Sequence, residues 1–358
     1  MPDRQRRRVS WCLLLAPAAP VLVYAAAPAR GDAKVDVRDY DARGNGVADD
    51  TRAFQAAINA LPDSGGTVQV PPGDYLINPV VGVQLRDRMH LAMAPGTRLM
   101  AKPNAAERAY VLNVNRVEDV EISGGRIIGE RGAHLGSTGE WGHGVMIRGS
   151  QRVTVRDIHI SHCWGDGISI GGAKEGGRIV PSRDITIQRV QSIGNRRQGL
   201  TIGRSRQVRV YDSTFADTEG TLPASGIDVE PDAGDMADDV LIARCIVRGN
   251  RGAGIQLYKQ VSNAIVRECT IEDNRGAGIL TLGARQCTIE DNRIRLNALG
   301  GIAVRPGTRE LTIARNEFSD NGPRIRTKDG SARKGKRHVA IGDATSDIRV
   351  DNDNRYLD

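Results

Sequence analysis

Residues 250–304 read NRGAGIQLYKQVSNAIVRECTIEDNRGAGILTLGARQCTIEDNRIRLNALGGIAV, and one short phrase occurs in them three times. It begins at Gly254 (GIQL), Gly278 (GILT) and Gly301 (GIAV), with spacings of 24 and 23 residues. Between the copies run two further alternating stretches, AIVRECTI and CTIEDNRI. Alternation of β-branched with polar residues marks strands that turn one face inward. No stretch of helical period separates them, which excludes a doubly wound βαβ sheet or a leucine-rich horseshoe. A unit this short cannot bury its own apolar face and must stack on copies of itself.

Upstream, the phrase recurs at Gly144 (GVMI), Gly167 (GISI), Gly199 (GLTI) and Gly226 (GIDV). The full series of spacings is 23, 32, 27, 28, 24 and 23, a base period of about 23 with extra residues in the middle coils. Asn195, Asn250, Asn274 and Asn297 each stand four residues before a phrase glycine, and Asn321 follows Asn297 by 24. Asparagine tolerates left-handed backbone, and its amide can bond the same amide one coil away, so these residues mark a repeated corner. Cys245 and Cys269, also 24 apart, are expected as stacked buried thiols rather than a disulfide.

The fold class is therefore all-β, a single-chain solenoid whose coils each supply two or three short parallel strands spaced about 4.8 Å apart. The composition agrees: 42 glycines and only 4% aromatics suit frequent turns around columns of Ile, Val and Leu. Residues 51–61, TRAFQAAINAL, place Phe54, Ala57, Ile58 and Leu61 on one helical face behind Asp49 or Asp50 as N-cap. They are expected to form a helix capping the first coil, with coils running to about residue 350. The reading is one β-helix domain over 30–358.

Residues 1–29 read as a cleaved export signal. Arg4, Arg6, Arg7 and Arg8 precede an apolar run from Trp11 to Ala27, and small residues allow cleavage near Ala29 or Ala33. The arginine pair raises a twin-arginine route, although the rest of that consensus is absent. The expected location is periplasmic or extracellular, with no stable membrane insertion after signal removal. Removal takes four Arg and one Asp, so net charge falls from +7 to +4. That mild excess suits an anionic polymer, whereas nucleic acid needs cations clustered on one face and is not expected. The basic stretch Arg324 to Arg337 reads as a solvated loop.

Insertions in a repeat array mark its binding face. The longest surround 171–183 and 216–240. Trp141 and Trp164, 23 apart, belong to WGHGVMI and WGDGISI, so His143 and Asp166 share one slot in adjacent coils. Gln198 and Ser225 fill it next, and then Ala253, Ala277 and Gly300. Large polar side chains are thus confined to the coils with insertions. Beside this column lie Arg196 and Arg197, the acids Asp228, Glu230 and Asp232, and then Tyr258 and Lys259. Each has a plain alternative as a turn residue, a surface ion pair or packing.

Residues 35–61, VDVRDYDARGNGVADDTRAFQAAINAL, with GGTVQVPPGDYLI at 65–77, resemble the N-terminal region of the pectate lyase-like right-handed parallel β-helix superfamily. Asp49, Asp50, Thr51, Gly65-Gly66-Thr67-Val68 and Pro72-Gly73 carry the likeness most specifically. That superfamily spans polygalacturonases, rhamnogalacturonases, pectate and alginate lyases, mannuronan epimerases and phage tailspike depolymerases. The resemblance implies a right-handed β-helix, but the scaffold hosts several chemistries and binding proteins. Polygalacturonase-type hydrolases carry an aspartate pair one coil after their Asp-Gly segment, where this chain has Arg197-Gln198. Their glycine-flanked histidine lies downstream, whereas Gly142-His143-Gly144 lies one coil upstream.

The expected function is an exported enzyme cleaving an acidic, uronate-containing polysaccharide by β-elimination. The alternatives are an inverting glycoside hydrolase pairing Asp166 with Asp228 or Glu230, and a non-catalytic glycan-binding or surface-structural protein. Asp166, Arg197, His143 and Asp228 are the expected catalytic residues, with Arg196, Arg197, His143 or Lys259 as base or carboxylate clamp. Trp141, Trp164, Arg196, Gln198, Tyr258 and Lys259 are expected to bind substrate. Asp228, Glu230 and Asp232 are the expected partial ligand set for a Ca²⁺ ion, the one cofactor considered.

Overall fold

The computed structural model describes residues 30–326, 332–334 and 336–357. Residues 1–29, expected to be an export signal, and part of the basic stretch at 324–337 lie outside the described residues.

The alternating runs become strands of three parallel sheets, two of twelve strands and one of ten. One coil shows the plan. Leu200–Ile202 enters the ten-stranded sheet, Ser205–Tyr211 a twelve-stranded sheet, and Thr214–Ala216 the other. We call these the third, first and second sheets. The next coil repeats the order with Ile227–Val229, Ala237–Ala243 and Ile246–Arg248, each parallel to its predecessor. Each such coil thus gives three strands, wound as a right-handed parallel β-helix. Leu200, Ile202, Val208, Val210 and Phe215 point into the tube and are fully buried, and the next coil adds Ile227, Val229, Val240, Ile242 and Val247. The core is made of stacked aliphatic columns, as the low aromatic content requires.

The predicted asparagine corner closes each coil between the second and third sheets. Asn250 Nδ2 donates to Asn274 Oδ1 at 2.9 Å, Asn274 Nδ2 to Asn297 Oδ1 at 2.9 Å and Asn297 Nδ2 to Asn321 Oδ1 at 3.0 Å. Each acceptor oxygen also takes the backbone N–H of the asparagine before it. The second amide hydrogen goes to a main-chain carbonyl, for example Asn274 Nδ2 to Val247 O at 3.2 Å. The phrase glycine is tied to this corner by close approach. A Cβ at Gly278 would stand 2.7 Å from Gly301 O and 2.8 Å from Asn297 Nδ2. Thr218 interrupts the ladder: its N–H donates to Asn250 Oδ1 at 3.1 Å, and the extra residues of that coil follow it.

A second ladder, not read from the sequence, closes the corner between the first and second sheets. Asn292 and Asn316 donate through Nδ2 to Asn316 and Asn354 at 2.9 and 3.1 Å. The predicted cysteine pair stands in this same column. The Cys245 N–H points at Cys269 Sγ at 3.4 Å, and the Cys269 N–H at Asn292 Oδ1 at 2.9 Å. All four described cysteines are free and buried.

The helix forms over Thr51–Asn59, with Thr51, Phe54, Ala57 and Ile58 on its buried face. Phe54 meets the Tyr75 ring edge-on at 5.2 Å. Asp50 is the N-cap by position, but its carboxylate accepts from the N–H groups of Arg43 and Gly44. Asp49 instead accepts from the Thr51 N–H and hydroxyl at 3.2 and 2.6 Å.

The Asn274→Ala variant tests the corner. It leaves the Asn250 N–H and amide without their buried acceptor, at about 1–3 kcal/mol for each orphaned group. We expect a loss of about 2–4 kcal/mol in urea unfolding on that basis, with the far-ultraviolet spectrum unchanged. A loss under about 0.5 kcal/mol, the size of an ordinary surface substitution, would remove the ladder from the causes of stability.

Candidate functional site

The backbone register confirms the polar slot. His143 lies opposite Tyr110, and the pairings Val145–Ile168, Ile168–Leu200 and Leu200–Ile227 align His143, Asp166, Gln198 and Ser225 in successive coils. The insertion after residue 171 is an antiparallel hairpin, Ala173–Glu175 with Arg178–Val180. The longer one divides into a corner loop after Thr218 and a loop at 230–236. A third, over 129–140, went unread because the coil before Gly144 lacks the glycine phrase. Glu140 at its end, the hairpin and the 230–236 loop wall a groove of about 830 Å³ on the outer face of the third sheet.

Asp166 lies beneath this groove. It is fully buried, so the expectation that it performs catalysis is corrected. Arg197 Nη1 donates to both its oxygens at 3.2 Å, and the Thr201 hydroxyl donates to Oδ2 at 2.9 Å. A carboxylate so enclosed cannot reach a sugar; its geometry suits holding Arg197 in place. Arg197 lines the groove and lies 3.3 Å from Glu140 through Nε. Burial works to lower its pKa, but the Asp166 and Asp228 carboxyls more than reverse this, so it rises. Arg197 therefore cannot serve as a base.

His143 lines the groove and is almost wholly buried. Its Nδ1 accepts the backbone N–H of Asp166 at 2.9 Å. Burial lowers its pKa to about 4 against the pull of Asp166, and Arg197, Arg148 and Arg108 add to the drop. The imidazole is thus neutral at neutral pH. With Nδ1 occupied as acceptor, the hydrogen-bond pattern assigns the proton to Nε2. As a base it would need a free nitrogen lone pair, which this geometry does not leave. Nε2 has no hydrogen-bond partner among the described residues.

Asp228 is outward-facing, between the core residues Ile227 and Val229, yet it is fully buried. Gln198 Nε2 from the preceding coil donates to Oδ2 at 2.6 Å, and Gln256 Nε2 from the following coil to Oδ1 at 3.0 Å. The Ser225 N–H donates to Gln198 Oε1 at 2.8 Å and fixes that amide. Gln198, expected to bind substrate, is corrected to a buried support for Asp228. Burial, with the neighbouring Glu230 charge, raises the Asp228 pKa to about 8. Glu230 lines the groove; Asp228 does not.

The acidic trio does not fit a Ca²⁺ ion. Both Asp228 oxygens are taken by amide donors, and no group of three or more metal-binding side chains converges among the described residues. Glu230 and Asp232 line the groove without Asp228.

The aromatic residues divide. Trp141 lines the groove with the Arg108 guanidinium 4.0 Å from its ring centre. Trp164 is corrected from a sugar platform to packing. Arg196 covers one contact at 3.8 Å and His134 stacks at 3.8 Å, so its ring is occupied by protein. Arg196 also donates to Gly139 O at 2.9 Å, which ties the 129–140 loop down and withdraws it from substrate binding. Lys259 lines the groove with its amine 4.8 Å from the Tyr258 ring centre, while Tyr258 itself is outside the lining. Arg108, Arg116, Arg148 and Lys174 were missed. For Arg108 and Arg116 the signal was the alternating run AYVLNV at 109–114, which pairs with the strand Trp141–Arg148 and extends the array one coil upstream; Arg148 ends that strand and Lys174 lies in the hairpin insertion.

Comparison with known proteins agrees with this architecture. The profile for the right-handed β-helix region matches residues 82–236 and 223–353, and that for rhamnogalacturonase A/epimerase, pectate lyase-like proteins matches 34–121. An uncharacterized Bacillus subtilis protein, YclG, is 30% identical over 219 residues, covering 55% of this chain and 38% of its own length. The mannuronan C5-epimerase AlgE6 of Azotobacter vinelandii is 46% identical over 65 residues, 16% of this chain and 7% of that one. The solved A-module of AlgE6 superposes with a TM-score of 0.55 at 17% identity, covering 90% of this chain and 99% of the module. A capsular polysaccharide depolymerase, the tailspike gp49 of Acinetobacter baumannii bacteriophage Fri1, gives 0.61 at 14% identity over 90% and 58%. With the profile match running over most of its length and the coils in register throughout, the chain belongs to the right-handed parallel β-helix family, its N-terminal part being of the pectate lyase-like kind.

Proposed function

We propose that this protein binds an anionic, uronate-bearing polysaccharide in the third-sheet groove and cleaves it by β-elimination. One observation carries the reading. Arg108, Arg116, Arg148, Lys174 and Lys259 line the groove, and none has a carboxylate partner among the described residues. On other faces several arginines are paired, as Arg152 is with Asp119, Arg244 with Asp212 and Arg315 with Asp291. Cations gathered in one groove with no direct carboxylate partner, even with Glu140, Glu230, Asp232 and Asp235 in the same lining, fit an anionic ligand. The names of the epimerase and depolymerase relatives support a polysaccharide, which in this reading is met in the periplasm or outside the cell. No described helix is long and apolar enough to cross a membrane.

In this reading the cations neutralise the sugar carboxylate and so acidify the proton on the adjoining carbon. Glu230 takes that proton as general base. The carbon–carbon double bond forms as the glycosidic C–O bond breaks, and the departing oxygen receives a proton back from the Asp228–Glu230 pair. The side chains themselves supply the neutralising charge, without Ca²⁺. The same acid–carboxylate pair favours hydrolysis as the second reading.

Incubation with a panel of acidic and neutral polysaccharides, with and without chelator, separates the cases. Elimination gives chain cleavage with the ultraviolet absorbance of an unsaturated uronate, undiminished by chelator. Reducing ends without that absorbance mean hydrolysis, and neither on a broad panel means a binding protein. On the elimination reading, Glu230→Gln lowers kcat by about 10²–10⁴-fold, the range for general-base catalysis, with folding unaffected; wild-type turnover in that variant rejects Glu230 as base.

The Asp228 pKa adds a prediction for stability. The native state holds a proton that the unfolded chain releases above its ordinary 3.8, so the stabilisation fades as pH rises toward about 8. His143 acts oppositely, but only between its ordinary 6.5 and about 4. From pH 6.5 to 8 the wild-type melting temperature should therefore fall more steeply than that of Asp228→Asn. Parallel melting curves over this window would show that Asp228 holds no such proton.

A further inference from the structure

Two buried polar atoms of the groove lining lack a hydrogen bond, Arg197 Nε and His143 Nε2. Arg197 Nε at least faces Glu140 at 3.3 Å. His143 Nε2 has no hydrogen-bond partner among the described residues, although the rest of the ring is fixed. Nδ1 is held by the Asp166 N–H at 2.9 Å, and the ring lies parallel to Tyr110 with centres 5.5 Å apart. A buried donor fixed in this way is a standing cost, which an incoming acceptor removes.

Its surroundings specify that acceptor. Tyr110 takes a hydrogen bond from Arg148 Nη2 at 3.3 Å, which brings one unpaired guanidinium to the stack. Arg108, in the strand beside His143, holds a second one over Trp141. A neutral N–H donor with two unpaired guanidiniums on the neighbouring side chains suits a group that only accepts, carries negative charge and is planar. A carboxylate meets all three conditions, and guanidinium matches it two-pronged.

We propose that His143 Nε2–H, with Arg108 and Arg148, forms the subsite that recognises the carboxylate of a bound uronate sugar. This rests on the reading of the groove as an acidic-polysaccharide site, and it makes His143 a specificity-determining donor instead of a base. A sugar with a hydroxymethyl group in place of the carboxylate leaves both guanidiniums uncompensated and binds less well. The parallel Tyr110 ring and the Asp166 N–H hold the imidazole in the orientation that keeps Nε2 as the donor.

The test is calorimetric binding to the full chain. The probes are a homopolyuronate hexamer, in galacturonate and mannuronate forms, its carboxyl-reduced counterpart, and a sulfated neutral hexamer. Wild type should prefer a uronate hexamer to both others. His143→Phe keeps a ring against Tyr110 and removes the donor. It should weaken uronate binding about 10- to 100-fold, the range for a hydrogen bond to a charged group, and leave the carboxyl-reduced ligand unchanged. His143→Gln, which restores a donor and an acceptor, should recover most of the loss. Arg148→Gln, a change at a partly exposed residue, should also weaken the uronate alone and serves if His143→Phe does not fold.

Unchanged uronate affinity in both His143→Phe and Arg148→Gln overturns the proposal. So does an equal loss toward uronate and carboxyl-reduced ligands, or tightest wild-type binding of the sulfated hexamer. If wild type binds neither uronate hexamer, the acidic-polysaccharide reading falls with it. Firm wild-type uronate binding that ignores both variants removes only the His143 subsite.

Discussion

Each coil of this protein is held to the next by hydrogen bonds that repeat in register, and the corner amides make that register hard to change. In the ladder from Asn250 to Asn321, one oxygen accepts both the N–H and the Nδ2 of the asparagine before it. A shift of one residue in any coil would break those bonds and turn the aliphatic columns outward together. Such a ladder also confines glycine to the position four residues on, where a Cβ at Gly254 would meet Gly278 O at 2.6 Å. Corner and strand thus constrain each other, and the free variables left to this chain are the outward side chains and the lengths of the corner insertions.

The groove uses both. Where the repeat puts Ala or Gly in the slot before the strand, nothing is available for chemistry. Where it puts His143, Asp166 and Gln198, three polar groups are carried into a partly dry site. Burying Asp166 is costly unless its charge is matched, and Arg197 with Thr201 supplies the match. Asp228 answers the same cost differently, by keeping its proton. One buried carboxyl is therefore an anchor for a cation and the other a neutral acid beside Glu230, although they lie only two coils apart, Asp166 just before a third-sheet strand and Asp228 within one.

The sequence exposed whatever depended on period. The coil length, the corner asparagines, the helix at Thr51–Asn59 and the shared slot of His143 and Asp166 follow from spacing alone. What depended on cover was hidden. Asp228 reads correctly as outward-facing, but alternation cannot say that two glutamines one coil to either side will seal it from water. Trp164 shares a slot with Trp141, yet His134 from a loop thirty residues earlier occupies it. Arg108 stayed out of view because its coil matches the array through strand pairing and not through the glycine phrase, and Arg148 because it stands at the end of its strand, outside the polar slot. The second asparagine ladder escaped because its column begins with Cys245 and Cys269, which take the same role with sulfur.

The distribution of charge along the solenoid ties these points to function. On the first-sheet corner, Asp157, Arg189, Asp212 and Arg244 follow one another coil by coil, with Arg189 paired to Asp157 at 2.5 Å and Arg244 to Asp212 at 2.7 Å. Such columns neutralise themselves as they stack, so a cation there has a partner supplied by the repeat. In the groove the repeat withholds that partner from Arg108 and Arg148, which lie beside aromatic rings instead. Placing cations against ring faces holds them without discharging them, since the rings offer attraction but no counter-ion. The charge remains available to a ligand, and the same coils carry the polar slot and the insertions. Downstream, the slot shrinks to Ala253, Ala277 and Gly300 and the spacing returns to 24 and 23 residues as far as Gly301, which leaves those coils the simpler task of continuing the columns on which the groove is mounted.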